Sequence, residues 1–341
     1  MVDTTQSGST GSPRRVCITG GGGFIGSHIA DRLLARGDEV VVLDTASASA
    51  AAWLLPHHDN PRLHLVHGSV TDEAQLRRCL TGCDLVFHLA AVVGVGQVMQ
   101  KQLQVIEVNV LATNQLLKVC TDRGIRVLLA STSEIYGKNP QSPFGEDSDS
   151  VFSAVSPNSR WIYAASKAMG EYMAHAYAAQ GLRFSAVRYF NVYGPRQDVA
   201  NRARVLSHFL WQAMRGEPLT VHGEGQQTRC FCYIDDAVEG TIRAAESDAA
   251  LGQALNIGRP EEVTLTDLAQ RVQALTSPPI AIQKTQPKFE GKHEDIQRRV
   301  PDATKAEQLL GFRAETDLAT GLGRTWDWYQ ANWDIIQRLC A

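Results

Sequence analysis

The sequence lacks strong net charge, long apolar runs and a secretory signal. Its formal net charge is −3, so it offers no broad cationic field and we expect no nucleic-acid partner. No apolar run approaches the length of about 20 residues that a membrane span needs, and the first residues show no charged start followed by an apolar block. We therefore expect no membrane partner, and we expect residues 1–13, rich in Ser, Thr and Gly, to form a disordered tail.

The cysteines are few and show no regular spacing. Seven are scattered along the chain, an odd number that does not suit a disulfide framework. Cys230 and Cys232 would point to opposite faces of a predicted strand, so ordinary packing is favoured over a metal or redox pair. This pattern is typical of reduced thiols, and we expect a cytoplasmic protein without a metal site.

What the sequence does contain is a strand, a glycine cluster and a helix in direct succession near its start. Gly20, Gly23 and Gly26 are spaced three apart, between a buried-strand pattern and an apolar helical pattern. Such glycines allow a tight turn, close approach of a pyrophosphate to the backbone, and packing of the helix on the strand. The helix start adds free N–H groups and a positive dipole end. The predicted cofactor contacts in this stretch are Gly20, Gly23, Phe24, Ile25 and Gly26.

The end of the second predicted strand carries a carboxylate. Asp44 follows the apolar run at residues 40–43 and lies 18 residues after Gly26. A carboxylate at this place accepts a hydrogen bond from a ribose 2′-hydroxyl and repels a 2′-phosphate. The sequence therefore predicts NAD rather than NADP as the cofactor.

Strand and helix patterns alternate through the first half of the chain. The predicted strands lie at residues 16–19, 40–43, 63–66, 85–89 and 127–130. This alternation predicts an α/β fold with a Rossmann-type, doubly wound parallel sheet, whose ligand lies beyond the carboxyl ends of the strands.

Two features along this sheet point to the cofactor. Leu89, Ala90 and Ala91 end the fourth strand, where small residues let a cofactor lie against the strand end. Asn109 falls within a long predicted helix at residues 103–120, and its apolar neighbours indicate a buried hydrogen-bonding role. We include all four among the cofactor-binding residues.

The fifth strand is followed by the residues that indicate chemistry. Thr132 lies at the strand end, and a later helix carries Tyr163 and Lys167 at positions i and i+4. These two side chains share a helix face, so the ammonium favours the phenolate by proximity, joined by the positive charge of an oxidised nicotinamide. We therefore expect Tyr163 to act as a base near neutral pH, with its pKa lowered from about 10.

With these motifs the chain resembles the extended short-chain dehydrogenase/reductase family, in particular its NAD-dependent nucleotide-sugar epimerases, dehydratases and decarboxylases. The resemblance covers residues 14–330. The shared motifs are Gly20-xx-Gly23-xx-Gly26, Asp44, Tyr163-xxx-Lys167 and the segments at 190–196, 223–229, 233–236, 256–258 and 301–305. The resemblance implies that Ser69 and Val70 lie at the adenine, although Ser69 stands where the family usually has an Asp.

The resemblance also implies a domain organisation. It divides the chain into an NAD-binding domain at residues 14–188, to which residues 235–258 return, and a smaller substrate-binding lobe at residues 189–234 and 259–341. In this lobe Asn191, Arg229 and either Arg298 or Arg299 are the expected contacts to a nucleoside-diphosphate sugar, UDP-linked, because guanidinium forks suit phosphate. Family members commonly form homodimers through the helices at residues 103–120 and 163–179.

The residues after Thr132 bear on the reaction. By resemblance, Tyr163 takes the proton of the sugar 4-hydroxyl while a hydride passes from C4 to NAD, which gives a 4-keto sugar. Ser133 stands where the 4,6-dehydratases carry an Asp, and serine is a poor acid, so dehydration is disfavoured. A 4-epimerase does not call for a carboxylate at Glu134, whereas UDP-glucuronate decarboxylases carry Thr-Ser-Glu with an arginine matching Arg229.

The chemistry supports a decarboxylase. A glucuronate oxidised at C4 is a β-keto acid that loses carbon dioxide once its oxyanion is stabilised, and C5 then needs a proton, for which Glu134 or Arg229 is a suitable neighbour. However, the segments at residues 92–96 and 189–192 resemble the epimerases. A UDP-hexose or UDP-hexuronate 4-epimerase therefore stays open, as does, more distantly, a non-catalytic NAD-sensing protein. A purely structural role for Glu134 stays open too.

Overall fold

A computed structural model describes residues 13–46, 52–155, 160–197, 204–286 and 296–340. The disordered tail expected at residues 1–13 lies outside these ranges, apart from Pro13. Within them no helix has both the length and the apolarity to cross a membrane. Six cysteines are free and buried, and the cytoplasmic location stays a prediction.

The strands alternate with helices as the sequence predicts. The strands are β1 (Arg15–Thr19), β2 (Glu39–Asp44), β3 (Leu63–His67), β4 (Leu85–His88), β5 (Arg126–Thr132), β6 (Phe184–Tyr189), β7 (Val192–Tyr193), β8 (Leu219–His222), β9 (Thr228–Cys230), β10 (Cys232–Tyr233), β11 (Ala254–Ile257), β12 (Glu262–Thr264) and β13 (Ile282–Thr285). The helices are α1 (Phe24–Ala35), α2 (Glu73–Cys79), α3 (Val95–Gln100), α4 (Gln102–Val105), α5 (Thr113–Arg123), α6 (Trp161–Ala178), α7 (Val205–Met214), α8 (Ile234–Glu246), α9 (Leu265–Gln273), α10 (Thr304–Leu310), α11 (Leu318–Ala331) and α12 (Trp333–Cys340).

Seven of these strands form one parallel sheet in the order β11-β6-β5-β4-β1-β2-β3. The order reverses direction between β1 and β4, which is the switch point where a doubly wound sheet opens a crevice for its ligand. The predicted fold class is therefore confirmed. Strand β11 comes from beyond residue 235 and pairs with β6, so the chain does return to this sheet.

Both faces of the sheet are buried, because helices cover each side. Val16 and Ile18 of β1 pack with Ile29 and Leu33 of α1. Cys17, between them in the strand, points to the other face and packs in the cluster that includes residues of α2 and α5. The strands are therefore apolar on both sides, which explains their continuous hydrophobic runs.

The long helix predicted at residues 103–120 has a wider middle. Helices α4 and α5 are joined by a π-helical segment, Ile106–Ala112, which contains Asn109. Insertions of this kind are often found at functional sites. The segment turns the Asn109 side chain inward, where it is 2% exposed.

The smaller strands lie in three two-stranded sheets beyond β6: β7 with β10, β9 with β12, and β8 with β13. Helix α9 begins with the cap that its sequence predicts, since Thr264 Oγ1 accepts a hydrogen bond from the Asp267 amide at 3.0 Å. Pro301, near the end of the chain, forms a backbone bridge with Phe144. This bridge brings the segment that carries Arg298 and Arg299 over the carboxyl edge of the main sheet.

Candidate active site

The glycine-rich turn after β1 has the geometry of a dinucleotide cradle. Gly20 has φ +73°, and a Cβ there would lie 2.8 Å from the Ala90 amide nitrogen. A Cβ on Gly26 would lie 2.4 Å from the Gly20 carbonyl oxygen, so only glycine lets α1 pack this close to the turn. Gly23 is the N-cap of α1 and offers no side-chain cap, which leaves the first N–H groups to a ligand.

Asp44 lies at the end of β2 and faces this turn. Its Oδ2 accepts a hydrogen bond from the Gly22 amide at 2.9 Å, and its Oδ1 accepts one from the Ala46 amide at 2.9 Å. The carboxylate is therefore fixed beside the cradle, where a ribose would lie. The cradle, the uncapped helix start and the placed carboxylate together fit NAD.

The remaining predicted cofactor residues follow neighbouring strand ends, but their side chains differ in what they do. Leu89, Ala90 and Ala91 follow β4 directly. Ser69 follows β3 and bonds to Thr71, with 2.8 Å between the hydroxyl oxygens. The other residue after β3, Val70, is buried in the core, with 4% of its surface exposed. Their contacts to NAD stay predictions.

Asn109 uses its carboxamide to tie three elements together. Its Oδ1 accepts from the Val92 amide at 2.8 Å, and its Nδ2 donates to the Val92 carbonyl at 3.1 Å and to Ser166 Oγ at 3.2 Å. These bonds fix the loop after β4 against α6. This is the buried hydrogen-bonding role that the sequence indicated, while direct contact with the cofactor stays a prediction.

Thr132, Tyr163 and Lys167 meet at the carboxyl end of β5. Thr132 caps the short 3₁₀ segment Ser133–Tyr136, and its hydroxyl accepts from the Glu134 amide at 3.2 Å. A side-chain hydrogen bond joins Tyr163 to Thr132. Lys167 Nζ donates to the Ala130 carbonyl at 2.8 Å, so the ammonium is anchored to the same strand.

The lowering of the Tyr163 pKa expected from Lys167 together with an oxidised nicotinamide stays a prediction, because the pKa of the protein groups alone is raised. Burial, with a smaller contribution from the negative charge of Glu134, raises the pKa of Tyr163 to about 12, although Arg204 and the bond to Thr132 oppose this. Burial also lowers the pKa of Lys167 to about 8, against the opposing effect of Glu171. The protein thus places Tyr163 and Lys167 side by side, and an oxidised nicotinamide would add the positive charge that favours the ionised phenol.

Glu134 is held between arginines that the sequence scatters widely. Its Oε1 lies 2.6 Å from Arg299 Nη1, and its Oε2 lies 3.2 Å from Arg160 Nη2. Burial alone would raise the pKa of Glu134, but the charges of Arg299, Arg160 and Arg229 outweigh burial and lower it to about 2. Glu134 is therefore ionised at neutral pH, and among the described residues its carboxylate pairs with arginine side chains and with no loop amide.

The structure separates the two neighbouring arginines that the sequence left open. Arg299 is buried, with 4% exposure, and faces Glu134. Arg298 points outward and pairs with Glu262, with 2.8 Å between Nε and Oε2. Of the two, Arg299 is the one brought to the site.

The other predicted substrate contacts form hydrogen bonds within the protein. Arg229 Nη1 donates to the carbonyls of Thr228 and Ile296, and its charge reaches Glu134. Asn191 has φ +38° and donates to the Cys230 carbonyl at 2.8 Å. Ser133 is 2% exposed next to Glu134.

Two groups near the site were missed by sequence reasoning. Arg160 is the N-cap residue of α6, and its place three residues before Tyr163 was the available signal for its role. His88 is fully buried between Thr19 Oγ1, at 2.7 Å from Nδ1, and Thr113 Oγ1, at 2.9 Å from Nε2. Burial, with the charge of Lys167, lowers the pKa of His88 to about 3, so this ring stays neutral.

A doubly wound sheet with this glycine cradle and a Tyr-xxx-Lys pair at its carboxyl edge defines a dinucleotide-dependent enzyme of the short-chain dehydrogenase/reductase class. Residues 16–258 match the NAD dependent epimerase/dehydratase family. This chain belongs to that family. The predicted resemblance, the enzyme class and NAD as the cofactor are thereby confirmed.

Individual relatives narrow the comparison. The UDP-N-acetyl-alpha-D-glucosaminuronate decarboxylase of Bacillus cytotoxicus is 37% identical over 320 residues, which are 93% of this chain and 98% of that protein. UDP-glucuronic acid decarboxylase 4 of Arabidopsis thaliana is 36% identical over 310 residues, 90% of this chain and 67% of that protein. The structure of the UDP-glucuronic acid 4-epimerase of Bacillus cereus, in complex with UDP-glucuronic acid and NAD, superposes with a TM-score of 0.83 at 27% identity, covering 93% of this chain and 99% of that one.

Proposed function

We propose that this enzyme removes the carboxyl group of a UDP-linked hexuronic acid through a 4-keto intermediate, as a UDP-glucuronate decarboxylase does. The observation that carries the proposal is the cluster of Glu134 with Arg299 and Arg160 beside Ser133 and Tyr163. A buried site with this concentration of guanidinium groups suits a substrate that carries a carboxylate.

The ionised state of Glu134 argues against dehydration. A 4,6-dehydratase must protonate a departing 6-hydroxyl. The Ser133 hydroxyl is too weak an acid for this, and a Glu134 carboxylate with a pKa of about 2 carries no proton at neutral pH. Decarboxylation needs no acid for its leaving group, because the C5–C6 electron pair moves into the C4 carbonyl as carbon dioxide departs. The site therefore fits decarboxylation better than dehydration, because decarboxylation does not require Glu134 to act as an acid.

The roles of the residues follow from their positions. Gly20, Gly23, Gly26 and Asp44 would hold NAD, which would supply the hydride acceptor for C4 of the sugar. Tyr163 takes the proton of the 4-hydroxyl and later gives one back, and Thr132 bonds to its phenol. We assign Arg299 to the developing C4–C5 enolate or to the substrate carboxylate, because its buried Nε has no hydrogen-bond partner among the described residues.

Glu134 is ionised at neutral pH, so we propose that the proton that C5 receives comes from solvent. The sequence predicts Glu134 or Arg229 as the neighbour of C5, and a Glu134 carboxylate with a pKa of about 2 has no proton of its own to give. We propose that Glu134 orients a water molecule toward C5 and returns to its arginine partners afterwards. Asn191 and Arg229 are the proposed contacts to the diphosphate.

The two similar decarboxylases support this assignment and leave two sugars to compare. One relative is named for UDP-N-acetyl-glucosaminuronate and the other for UDP-glucuronate. Both of these nucleotide sugars carry the carboxylate that the arginine cluster would contact. A 4-epimerase of UDP-glucuronate is the second candidate, because the solved enzyme of Bacillus cereus shares the fold over nearly the whole chain.

One labelling experiment separates these candidates. UDP-glucuronate and UDP-N-acetyl-glucosaminuronate are each incubated with enzyme and NAD in heavy water, and the products are examined by mass spectrometry and NMR. We expect carbon dioxide and a pentose-type product with deuterium at C5. A product that retains every carbon and carries no deuterium at C5 would show an epimerase.

Variants of the neighbouring arginines provide a matched test of the site. Arg299→Gln removes the buried partner of Glu134 and should lower the decarboxylation rate at least a hundredfold. Arg298→Gln removes an exposed arginine that pairs with Glu262 and should change the rate less than about twofold. Equal losses in the two variants would contradict the assignment of Arg299.

We also propose that the enzyme is a homodimer. Five large apolar side chains are exposed on the helices that the resemblance implicates, namely Leu103, Ile106, Leu111, Met169 and Tyr172. Exposed apolar clusters of this kind mark protein–protein interfaces. Light scattering should give twice the mass of 37.3 kDa, and Leu111→Glu, at a position 60% exposed, should give a monomer.

A further inference from the structure

The two charged groups at the centre of the site lie on segments that are far apart in the chain. Glu134 belongs to the 3₁₀ segment Ser133–Tyr136, whereas Arg299 lies near the end of the chain, 165 positions away. Their side chains meet at 2.6 Å between Oε1 and Nη1. A residue that bonds to both segments can fix the distance between these groups, and the side chain of Asn256 bonds to both.

Asn256 lies in β11, the edge strand of the main sheet, and is fully buried. Its Oδ1 accepts a hydrogen bond from Tyr136 Oη at 2.7 Å. Its Nδ2 donates to the carbonyls of Phe144 and Asp302, each at 2.9 Å. These three partners require one acceptor and two donors, which a carboxamide offers and neither a carboxylate nor a hydroxyl does.

Tyr136 connects Asn256 to the segment that carries Glu134. It ends the 3₁₀ segment two residues after Glu134 and is fully buried. Its ring stacks on Phe144 with 4.8 Å between the centroids, and its hydroxyl accepts from Arg188 Nη1 at 3.0 Å. Because the ring and the hydroxyl are both held, a shift of this side chain would also move the short segment behind it.

The other end of the carboxamide holds the segment that carries Arg299. Asp302 follows Arg299 by three residues. Val300 and Pro301 lie between them and make the backbone stiff, because proline fixes its own φ and restricts the residue before it to extended conformations. Phe144 bridges the same stretch, since its amide donates to the Val300 carbonyl and its carbonyl accepts from the Asp302 amide, both at 2.8 Å. The position of the Asp302 carbonyl therefore limits where the arginine can lie.

A separate anchor lies on the other side of Arg299. The Gln297 carbonyl accepts a hydrogen bond from the Thr228 amide at 2.9 Å. The segment is therefore held before Arg299 as well as after it. Loss of the Asn256 bonds should shift the guanidinium without releasing the whole segment from the protein.

We propose that Asn256 is a positioning residue for the decarboxylation step, because its carboxamide sets Arg299 against Glu134. One end of the carboxamide holds the 3₁₀ segment through the Tyr136 hydroxyl, and the other end holds the segment of the arginine through the Asp302 carbonyl. Asn256 is fully buried and each polar atom of its side chain bonds within the protein, so it acts through the ion pair. The inference deepens the proposed function and rests on it for the activity readouts alone.

The first test follows the position of Arg299 and needs no turnover. The full chain is labelled with ¹⁵N-arginine, and the guanidinium signal of Arg299 is assigned by its loss in Arg299→Gln. Asn256→Leu keeps the branched shape of the side chain and removes all three bonds, so this signal should shift and broaden. Ser185→Ala is the matched control, because it removes a different buried hydrogen bond, from Ser185 Oγ to the Ala244 carbonyl at 2.7 Å. An unchanged Arg299 signal in Asn256→Leu would overturn the proposal.

Tyr136→Phe covers the case in which Asn256→Leu does not fold, because that change leaves buried carbonyls without a donor. Tyr136→Phe keeps the stacked ring and removes only the hydroxyl that donates to Asn256. The signal of Arg299 should then move in the same direction as in Asn256→Leu, by a smaller amount. If Asn256→Leu unfolds and Tyr136→Phe leaves the signal unchanged, the proposal is wrong.

Activity gives a readout that a merely structural role would not produce. In the proposed function, oxidation at C4 uses Thr132, Tyr163 and Lys167, whereas loss of carbon dioxide depends on Arg299. Asn256→Leu should therefore slow the release of carbon dioxide about tenfold or more, while the absorbance of reduced nicotinamide in a single turnover should rise within about threefold of the wild-type rate and persist longer. Equal losses in the two steps would overturn the positioning role.

A double-mutant cycle tests whether Asn256 acts through Arg299. The variant that combines Asn256→Leu with Arg299→Gln should be about as slow as Arg299→Gln alone, because the guanidinium that Asn256 positions is already absent. A further tenfold loss in the combined variant would contradict the proposal. Inactivity of the wild type toward both uronates would contradict the proposed function, whereas the arginine signal would still test Asn256.

Discussion

The ion pair between Glu134 and Arg299 should make the free energy of unfolding depend on pH in the acid range. The pKa of Glu134 falls from 4.5 to about 2 in the folded protein. Each unit corresponds to about 1.4 kcal/mol, so the interactions of the charged carboxylate stabilise the fold by roughly 3 kcal/mol. Because the folded-state pKa is lowered, this contribution is complete above about pH 4.5 and is lost as the pH falls through about 2.

Glu134→Gln should remove this pH dependence of the free energy of unfolding. At pH 7 the variant loses the charge and leaves Arg299 unpaired at 4% exposure, so its free energy of unfolding should be lower than that of the wild type by about 3–5 kcal/mol. Between pH 7 and pH 3 the wild type loses about 2 kcal/mol that the variant never had, so the difference between the two proteins should narrow by that amount.

The assay is urea unfolding at pH 7, 5, 4 and 3, followed by circular dichroism and tryptophan fluorescence. Glu262→Gln is the matched control, because it breaks the pair with Arg298, whose side chain is 55% exposed. That change should lower the free energy of unfolding by less than about 1 kcal/mol at pH 7. The difference between this variant and the wild type should also change much less between pH 7 and pH 3. A difference between wild type and Glu134→Gln that stays constant from pH 7 to pH 3 would refute the ion pair as the cause.

Three further predictions concern the cofactor and the base. Tyr163→Phe should fold and bind NAD as the wild type does, but lower kcat about 10²–10⁴-fold in a coupled assay; normal turnover would make Tyr163 structural. Asp44→Ala should weaken NAD binding about tenfold or more by titration calorimetry and improve the ratio of NADP to NAD affinity, because a charged hydrogen-bond acceptor and a repulsive charge are both removed; tighter NADP than NAD binding in the wild type would contradict the assignment. Gly26→Ala places a Cβ 2.4 Å from the Gly20 carbonyl oxygen, so it should lower the melting temperature and weaken NAD binding by about 1–3 kcal/mol; unchanged calorimetry would show that the turn yields freely.

The sequence by itself determined the fold class and the cofactor, because both rest on local patterns. The glycines of the first turn lie within seven residues, and Asp44 ends the next strand. Alternating strand and helix patterns then leave few ways to build the sheet, since parallel strands need crossover helices and their carboxyl ends share one edge. Tyr163 and Lys167 are one helical turn apart, so their shared face also follows from spacing alone.

Tertiary structure decided what the sequence could not. Glu134 and Arg299 are 165 positions apart, and adjacent residues such as Arg298 and Arg299 look equivalent until one is buried and the other faces solvent. The pKa of Tyr163 in the protein alone depends on burial and on the distant charges of Glu134 and Arg204, which its spacing from Lys167 does not reveal. Long-range contacts determine desolvation and ion pairing, and these two effects determine which of the predicted residues carry charge in the site.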